Sequence, residues 1–306
     1  MRPVFKDQVL QSSFDKDGFV VIPKFLTAED VDHLKKEYFD NLHKSGGSKL
    51  SDETDFQNDK EITYDFTFID RNIDYKKLVF DIITATFEKP HKRYLDNYRP
   101  IIANFIRKKA SGGEVPLHQN WAFVDERKCT SVSIWVPLVD SNEENGTLQI
   151  APGSHKRYGE FRGPMVPWEL DTIGEEIIAS ELTPMNVSAG DAVVLDDSVI
   201  HYSNINRTDG LRLTIQLILT PAEATTIHYF LDRELDPSTI YMYQVDDDFF
   251  MNTHPWIRPK GKLLKKLKFK QEDLTIEDFR KRLKDPEFGQ RKQDFLTRVK
   301  RIFSFS

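Results

Sequence analysis

Cysteine is almost absent: Cys129 is the only one in 306 residues. No internal disulfide can form, and one chain cannot build a thiolate cage. A bound metal would therefore need His, carboxylate or amide ligands, and the sequence suits a reducing cytosol. Long apolar runs are also missing. Nothing approaches the roughly 18 consecutive apolar residues of a membrane span, and Met1 to Gln11 lacks the apolar stretch of a signal peptide. A cytoplasmic protein is expected, neither secreted nor membrane-bound. Internal repeats and low-complexity linkers are lacking too, while a hydrophobic share of 39% is enough for a sizeable core.

What is present is unevenly charged. The whole chain carries a net −6, but Arg258 to Ser306 alone carries +9 and the remainder −15. A basic tail can dock on an acidic body, meet phosphate groups of a carrier-bound substrate, or stay solvated as an ordinary charged face. Its lysines are not interleaved with aromatics in the manner of a single-strand nucleic-acid platform, so no nucleic-acid partner is expected.

Local patterns predict the elements. A short strand follows Gly18, and Thr27 with Asp30 forms a capping pair for a helix to about His43. Leu26, Val31, Leu34, Tyr38 and Leu42 give that helix one apolar face. Ser45 to Lys60 is polar and reads as a loop or lid. A second helix is expected from Tyr75 to Glu88, stopped before Pro90. From Ile101 to Pro221, short β-branched and aromatic runs alternate with turn residues, the texture of an antiparallel sandwich or barrel. Helical signals return at the end, with Thr275 and Asp278 as a cap. This predicts one domain over residues 1–257 and a basic helical extension over 258–306.

Two histidines lie where strand-like runs meet polar residues. His118 stands in Leu117-His118-Gln119-Asn120-Trp121, and His201 follows the run Val193 to Ile200. Residues i and i+2 of a strand share a face, so His118 and Asn120 point together. Two His and one short oxygen donor can occupy one face of an octahedral metal and leave three positions open, the logic of non-haem Fe(II) oxygenase sites. Here the oxygen donor is an amide where a carboxylate is usual. Arg212 follows His201 across an expected turn at Asp209-Gly210, and Ser203 lies two residues after the histidine. Arginine can grip a carboxylate bidentately and serine can add a bond. A dicarboxylate that chelates iron at one end and meets Arg212 at the other fits this layout.

The segment from Phe14 to about Pro221 resembles the phytanoyl-CoA dioxygenase family of Fe(II)/2-oxoglutarate oxygenases. The carrying motifs are Leu117-His118-Gln119, Ser133-Ile-Trp135-Val-Pro-Leu138, Glu144-Asn-Gly146-Thr-Leu148, Ala151-Pro-Gly-Ser-His155, and His201-x-Ser203 with Arg212. The resemblance implies a mainly β fold with flanking helices, a double-stranded β-helix of jelly-roll or cupin type. It implies Fe(II) held by His118, Asn120 and His201, and 2-oxoglutarate held by Arg212 and Ser203, with Trp135 and Asn104 as further cosubstrate contacts. The activity it implies uses O2 and hydroxylates an unactivated C–H bond of a small organic substrate.

Asn120 keeps two alternatives open: a metal-poor member retained as a small-molecule binding or regulatory protein, and a different oxidation such as halogenation or desaturation. Asn120→Asp is expected to tighten metal binding. Asp125 and Glu126 are the nearest substitute carboxylates, expected in a solvent or substrate-loop role. His155 is expected to serve its turn, and Trp121 and Phe123 to line either a pocket or the core.

Overall fold

The computed structural model describes residues 2–47, 64–246, 248–252, 257–285 and 288. The expected loop at Ser45 to Lys60 lies, from 48 onward, outside the described residues, as does most of the expected terminal helix beyond 285.

Helix α1 (Gln8–Asp17) starts where the Asp7 carboxylate accepts hydrogen bonds from the amides of Val9 and Leu10. It ends at Gly18, whose φ of 80° only glycine adopts cheaply. Strand β1 (Phe19–Ile22) follows, then α2 (Ala28–Asn41) with the expected capping box between Thr27 and Asp30. After β2 (Tyr64–Phe66) comes α3 (Ile73–Tyr94).

The expected stop before Pro90 does not occur. Tyr75, Val79, Ile83, Phe87 and His91 recur every four residues and are all buried, so the apolar stripe continues past the proline. An interior proline costs about 3 kcal/mol. Beyond it His91 and the C-cap residue Leu95 are both buried, so packing carries the helix one further turn.

The next strands are β3 (Tyr98–Lys108), β4 (Val115–His118), β5 (Val132–Pro137) and β6 (Leu148–Ile150). Short α4 (Gly174–Ser180) precedes β7 (Thr183–Pro184), β8 (Ala192–Asp196), β9 (His201–Ser203) and β10 (Arg212–Pro221). Antiparallel pairing gives a six-stranded sheet in the order β1-β8-β5-β10-β3-β2 and a four-stranded sheet in the order β4-β9-β6-β7. From β3 to β10 successive strands switch between the two sheets, except that β6 and β7 both lie in the four-stranded one; this is the double-stranded β-helix.

Strand periodicity divides the large sheet's two faces. Ala103 and Phe105 of β3, Ile134 and Val136 of β5, and Leu213, Ile215 and Leu217 of β10 join Leu34, Tyr38, Val79, Ile83 and Phe87 of the helices in one core cluster. Their alternating neighbours Asn104, Ser133, Trp135, Arg212, Gln216 and Ile218 face an interior cavity of about 370 Å³.

Beyond β10 the chain adds β11 (Ile227–Asp232), β12 (Asp236–Gln244), a single turn α5 (Phe249–Asn252), β13 (Lys262–Lys268) and α6 (Ile276–Lys284). The extension expected to be helical from 258 therefore begins as a strand. Leu263, Leu264 and Leu267 suit a helix as well as a strand by spacing. The open edge of β12, whose backbone groups pair with β13 from Thr239 to Gln244, decides for the strand. Helix α6 has the expected Thr275–Asp278 cap, and its fully buried Phe279 stacks on Tyr158 at 4.8 Å between ring centres. Among the described residues, no helix is long and apolar enough to cross a membrane.

Candidate active site

Strands β4 and β9 pair so that His118 lies directly opposite His201, with ring centres 4.1 Å apart. The His118 Nδ1 lies 2.7 Å from the Pro116 carbonyl and the His201 Nδ1 lies 2.9 Å from the Val199 carbonyl. A carbonyl only accepts, so each Nδ1 carries the proton and each Nε2 keeps its lone pair, the tautomer a metal-binding histidine needs. Burial pushes both rings below the ordinary histidine range, and for His201 the neighbouring His118 adds to the effect. Both are therefore neutral near pH 7.

Asn120, buried two residues beyond His118, lines the same cavity. Its amide nitrogen donates to Ser133 Oγ at 3.0 Å and to Asp197 Oδ1 at 2.9 Å. The amide oxygen is thus the atom left for the cavity side. No group of three or more His, Cys, Asp and Glu residues suited to a metal occurs among the described residues, and beside the two imidazoles this amide on the cavity wall is a candidate third donor. Two neutral nitrogens with free lone pairs and one amide oxygen fit a divalent metal, although without a formal negative charge among them.

Arg212 opens β10 with only 2% of its surface exposed, and no carboxylate touches it among the described residues. Its Nη1 donates to the Gly146 carbonyl at 2.5 Å and to Ser203 Oγ at 3.2 Å, while its buried Nε has no partner. The guanidinium lies over the Trp135 ring at 5.9 Å. Burial alone pushes it down to about 9. A buried cation with an unused donor beside a cavity is suited to an incoming carboxylate.

Ser203 donates to the Gly146 carbonyl at 2.7 Å and accepts from Arg212, so it steadies the arginine with its own proton already committed. Gly146 is obligatory here. Its φ is +72°, and a Cβ would sit 2.2 Å from the Asn204 carbonyl oxygen. The Glu144-to-Leu148 motif thus serves as an anchor for the arginine. Asn104 and Trp135 flank Gln216 in register across β3, β10 and β5, and all three line the cavity. The Asn104 amide donates to Gln216 at 3.3 Å, and its buried oxygen is unpartnered.

The remaining wall is apolar. Phe66, Phe68, Trp121, Phe123, Ile102 and Ile218 contribute, with Phe68 edge-on to Trp121 at 5.8 Å. Trp121 and Phe123 therefore serve pocket and core together. Asp125 and Glu126 are committed elsewhere: Asp125 pairs with Arg127 at 2.7 Å and Glu126 with buried Arg162 at 2.5 Å. His155 contacts the Asp15 carbonyl beside Gly18, away from the histidine pair.

Three participants escaped the sequence reading. Lys108, fully buried, donates to Ser203 Oγ at 2.5 Å and to the Ser203 and Asn204 carbonyls. Burial, then the nearby Arg212, pushes its amine down to about 5. Its signal was strand alternation, since it follows Asn104 and Ile106 at two-residue steps on the cavity face. Asp197, also fully buried, is pushed up to about 7 by burial. Gln216 lies four residues after Arg212 on the same strand face.

The Phytanoyl-CoA dioxygenase (PhyH) family matches residues 14–214. Phytanoyl-CoA dioxygenase 1 of Oryza sativa subsp. japonica is 32% identical over 138 residues, 42% of this chain and 48% of that protein. The chain thus matches about half the length of that relative. A Phytanoyl-CoA dioxygenase domain-containing protein 1 homolog of Dictyostelium discoideum is 23% identical over 82% of this chain and 98% of its own length. Among solved structures, the non-heme alpha ketoglutarate dependent carbocyclase SnoK has a TM-score of 0.53 at 17% identity, covering 86% of this chain and 98% of its own. EctD from S. alaskensis with bound Fe has a TM-score of 0.52 at 20% identity, covering 74% and 84%. These structures share the β-helix architecture.

Proposed function

The chain belongs to the phytanoyl-CoA dioxygenase family, a family of Fe(II)- and 2-oxoglutarate-dependent oxygenases, and we propose that it hydroxylates an unactivated C–H bond of a small, largely apolar organic substrate. The observation that carries this reading is the pairing of two neutral histidines with free Nε2 atoms and a buried, carboxylate-free Arg212 on the wall of one cavity.

In this reading His118, His201 and the Asn120 amide oxygen hold the iron. Arg212, steadied by Ser203 and the Gly146 carbonyl, receives the distal carboxylate of 2-oxoglutarate. Trp135 packs beside that carboxylate, and Asn104 offers its unpartnered oxygen to a donor on the bound molecules. When bound, Fe(II) supplies the O2-dependent oxidation in which 2-oxoglutarate is converted to succinate and CO2. The protein's own residues fix the ligands' tautomers, orient the cosubstrate and exclude water. The aromatic wall of Phe66, Phe68, Trp121 and Phe123 supports an apolar substrate, because it presents little that could hydrogen-bond a polar one.

Anaerobic addition of Fe(II) and 2-oxoglutarate should produce a visible charge-transfer band, and admission of O2 should yield succinate. Absence of both at saturating metal would refute the oxygenase reading and favour a binding role.

A further inference from the structure

Asp197 is a buried acid that the reading above leaves unused. Its side chain has no exposed surface, Oδ1 accepts from Ser133 Oγ at 2.6 Å and from the Asn120 amide at 2.9 Å, and Oδ2 has no partner. The neighbouring cations are engaged by other acids: Lys156 lies 3.3 Å from Asp196, and Arg162 forms its close pair with Glu126. An isolated carboxylate is costly to bury unless a cation compensates it.

We infer that Asp197 is the positioning residue for Asn120: together with Ser133 it fixes which end of the amide faces the cavity. The inference rests on the reading of His118, Asn120 and His201 as the metal-holding set. Two consequences of the geometry support it. Asp197 Oδ1 accepts from both the Ser133 hydroxyl and the Asn120 amide nitrogen, so the NH2 end of Asn120 must face them and the amide oxygen must face the cavity. The same bond also polarises the amide, drawing its hydrogens toward Asp197 and enriching the oxygen, as carboxylates do when they back a ligating histidine.

This revises the expectation for Asn120→Asp. That change alone would set two carboxylates in contact at the 2.9 Å Asn120–Asp197 position, so restoring the ligand charge requires the exchange Asn120→Asp with Asp197→Asn.

The test is Mn(II) titration of the full-length metal-free protein by calorimetry, with electron paramagnetic resonance of the bound ion as a second readout. Asp197→Asn should weaken Mn(II) binding by about 10- to 100-fold, the usual effect of removing a partner behind a ligand. The double exchange should recover affinity to within about threefold of the parent, a non-additivity that a merely structural residue would not show. Ser133→Ala leaves the Asp197–Asn120 bond in place and should lose less than about tenfold against the parent, which preserves a test if Asp197→Asn folds poorly. Asp197→Asn within threefold of the parent, a double exchange no tighter than Asp197→Asn, or a Ser133→Ala loss of about tenfold or more would overturn the inference. His201→Ala separates the two levels: if it binds Mn(II) as the parent does, or if the parent binds none, the metal site itself is misassigned. Loss in His201→Ala beside an unchanged Asp197→Asn refutes only the role of Asp197.

Discussion

Replacing Arg212 by methionine should move two quantities in opposite directions. In the ligand-free protein the guanidinium is 2% exposed and has no carboxylate partner. Methionine keeps most of its length and removes the buried charge. No acceptor is orphaned, because the Gly146 carbonyl retains the Ser203 hydroxyl at 2.7 Å. Exchanging buried charge for a matched apolar group is often stabilising by about 1–4 kcal/mol, here expected at the lower end because the cation–π contact with Trp135 is lost. Cosubstrate binding should move the other way. Hydrogen bonds to charged groups contribute about 1.5–3 kcal/mol each, so a two-pronged grip is worth about 3–6 kcal/mol, or roughly 10² to 10⁴ in affinity.

Thermal unfolding with Mn(II), with and without 2-oxoglutarate, reads both effects. The variant should melt higher than the parent without cosubstrate and lose the rise that 2-oxoglutarate produces; at one hundred times its Kd that rise corresponds to about 2.7 kcal/mol. A lower melting point combined with an intact 2-oxoglutarate shift would refute the reasoning, because it would make Arg212 a structural residue.

Other outcomes follow from the same geometry. Lys108 has its pKa depressed from 10.5 to about 5 in the fold, so the unfolded chain binds more protons between those values. Its contribution is full above the unfolded value and is lost as pH falls toward 5; Lys108→Met should flatten the rise of stability with pH, measured by urea unfolding at several pH values. Gly146→Ala places a Cβ 2.2 Å from the Asn204 carbonyl at a φ of +72°. It should cost about 1–3 kcal/mol in backbone strain alone and weaken 2-oxoglutarate binding through Arg212, read by melting and by calorimetry. Phe279→Ala removes a fully buried ring stacked on Tyr158. It should cost about 3–5 kcal/mol and expose α6 to hydrogen exchange before the β-helix opens.

The strands of the β-helix were legible because each is a short apolar run bounded by turn residues: Ile101–Ile106 and Ala192–Leu195 fall inside β3 and β8, and Leu211–Thr220 begins one residue before β10. Pro90 misled because a local rule about one hydrogen bond met a buried stripe reaching His91. The strand at Lys262 to Lys268 misled because its leucines suit either period, and only the edge of β12 chose between them. Lys108 and Asp197 carried no motif. A buried lysine and a buried aspartate look like surface charges until the cross-strand register shows what surrounds them.

Composition and motif alone determined that any metal here would meet nitrogen and oxygen, and they singled out His118 and His201 as candidate nitrogen donors with Arg212 as the cation expected near them. These follow from residue chemistry and from the order of motifs along the chain. Tertiary structure decided which atoms face one another. The antiparallel register sets His118 against His201, and the turn before β9 brings Asp197 behind Asn120 across 77 residues of sequence. The orientation of a buried amide depends on contacts a few ångströms long between segments far apart in the chain, and no local pattern encodes them.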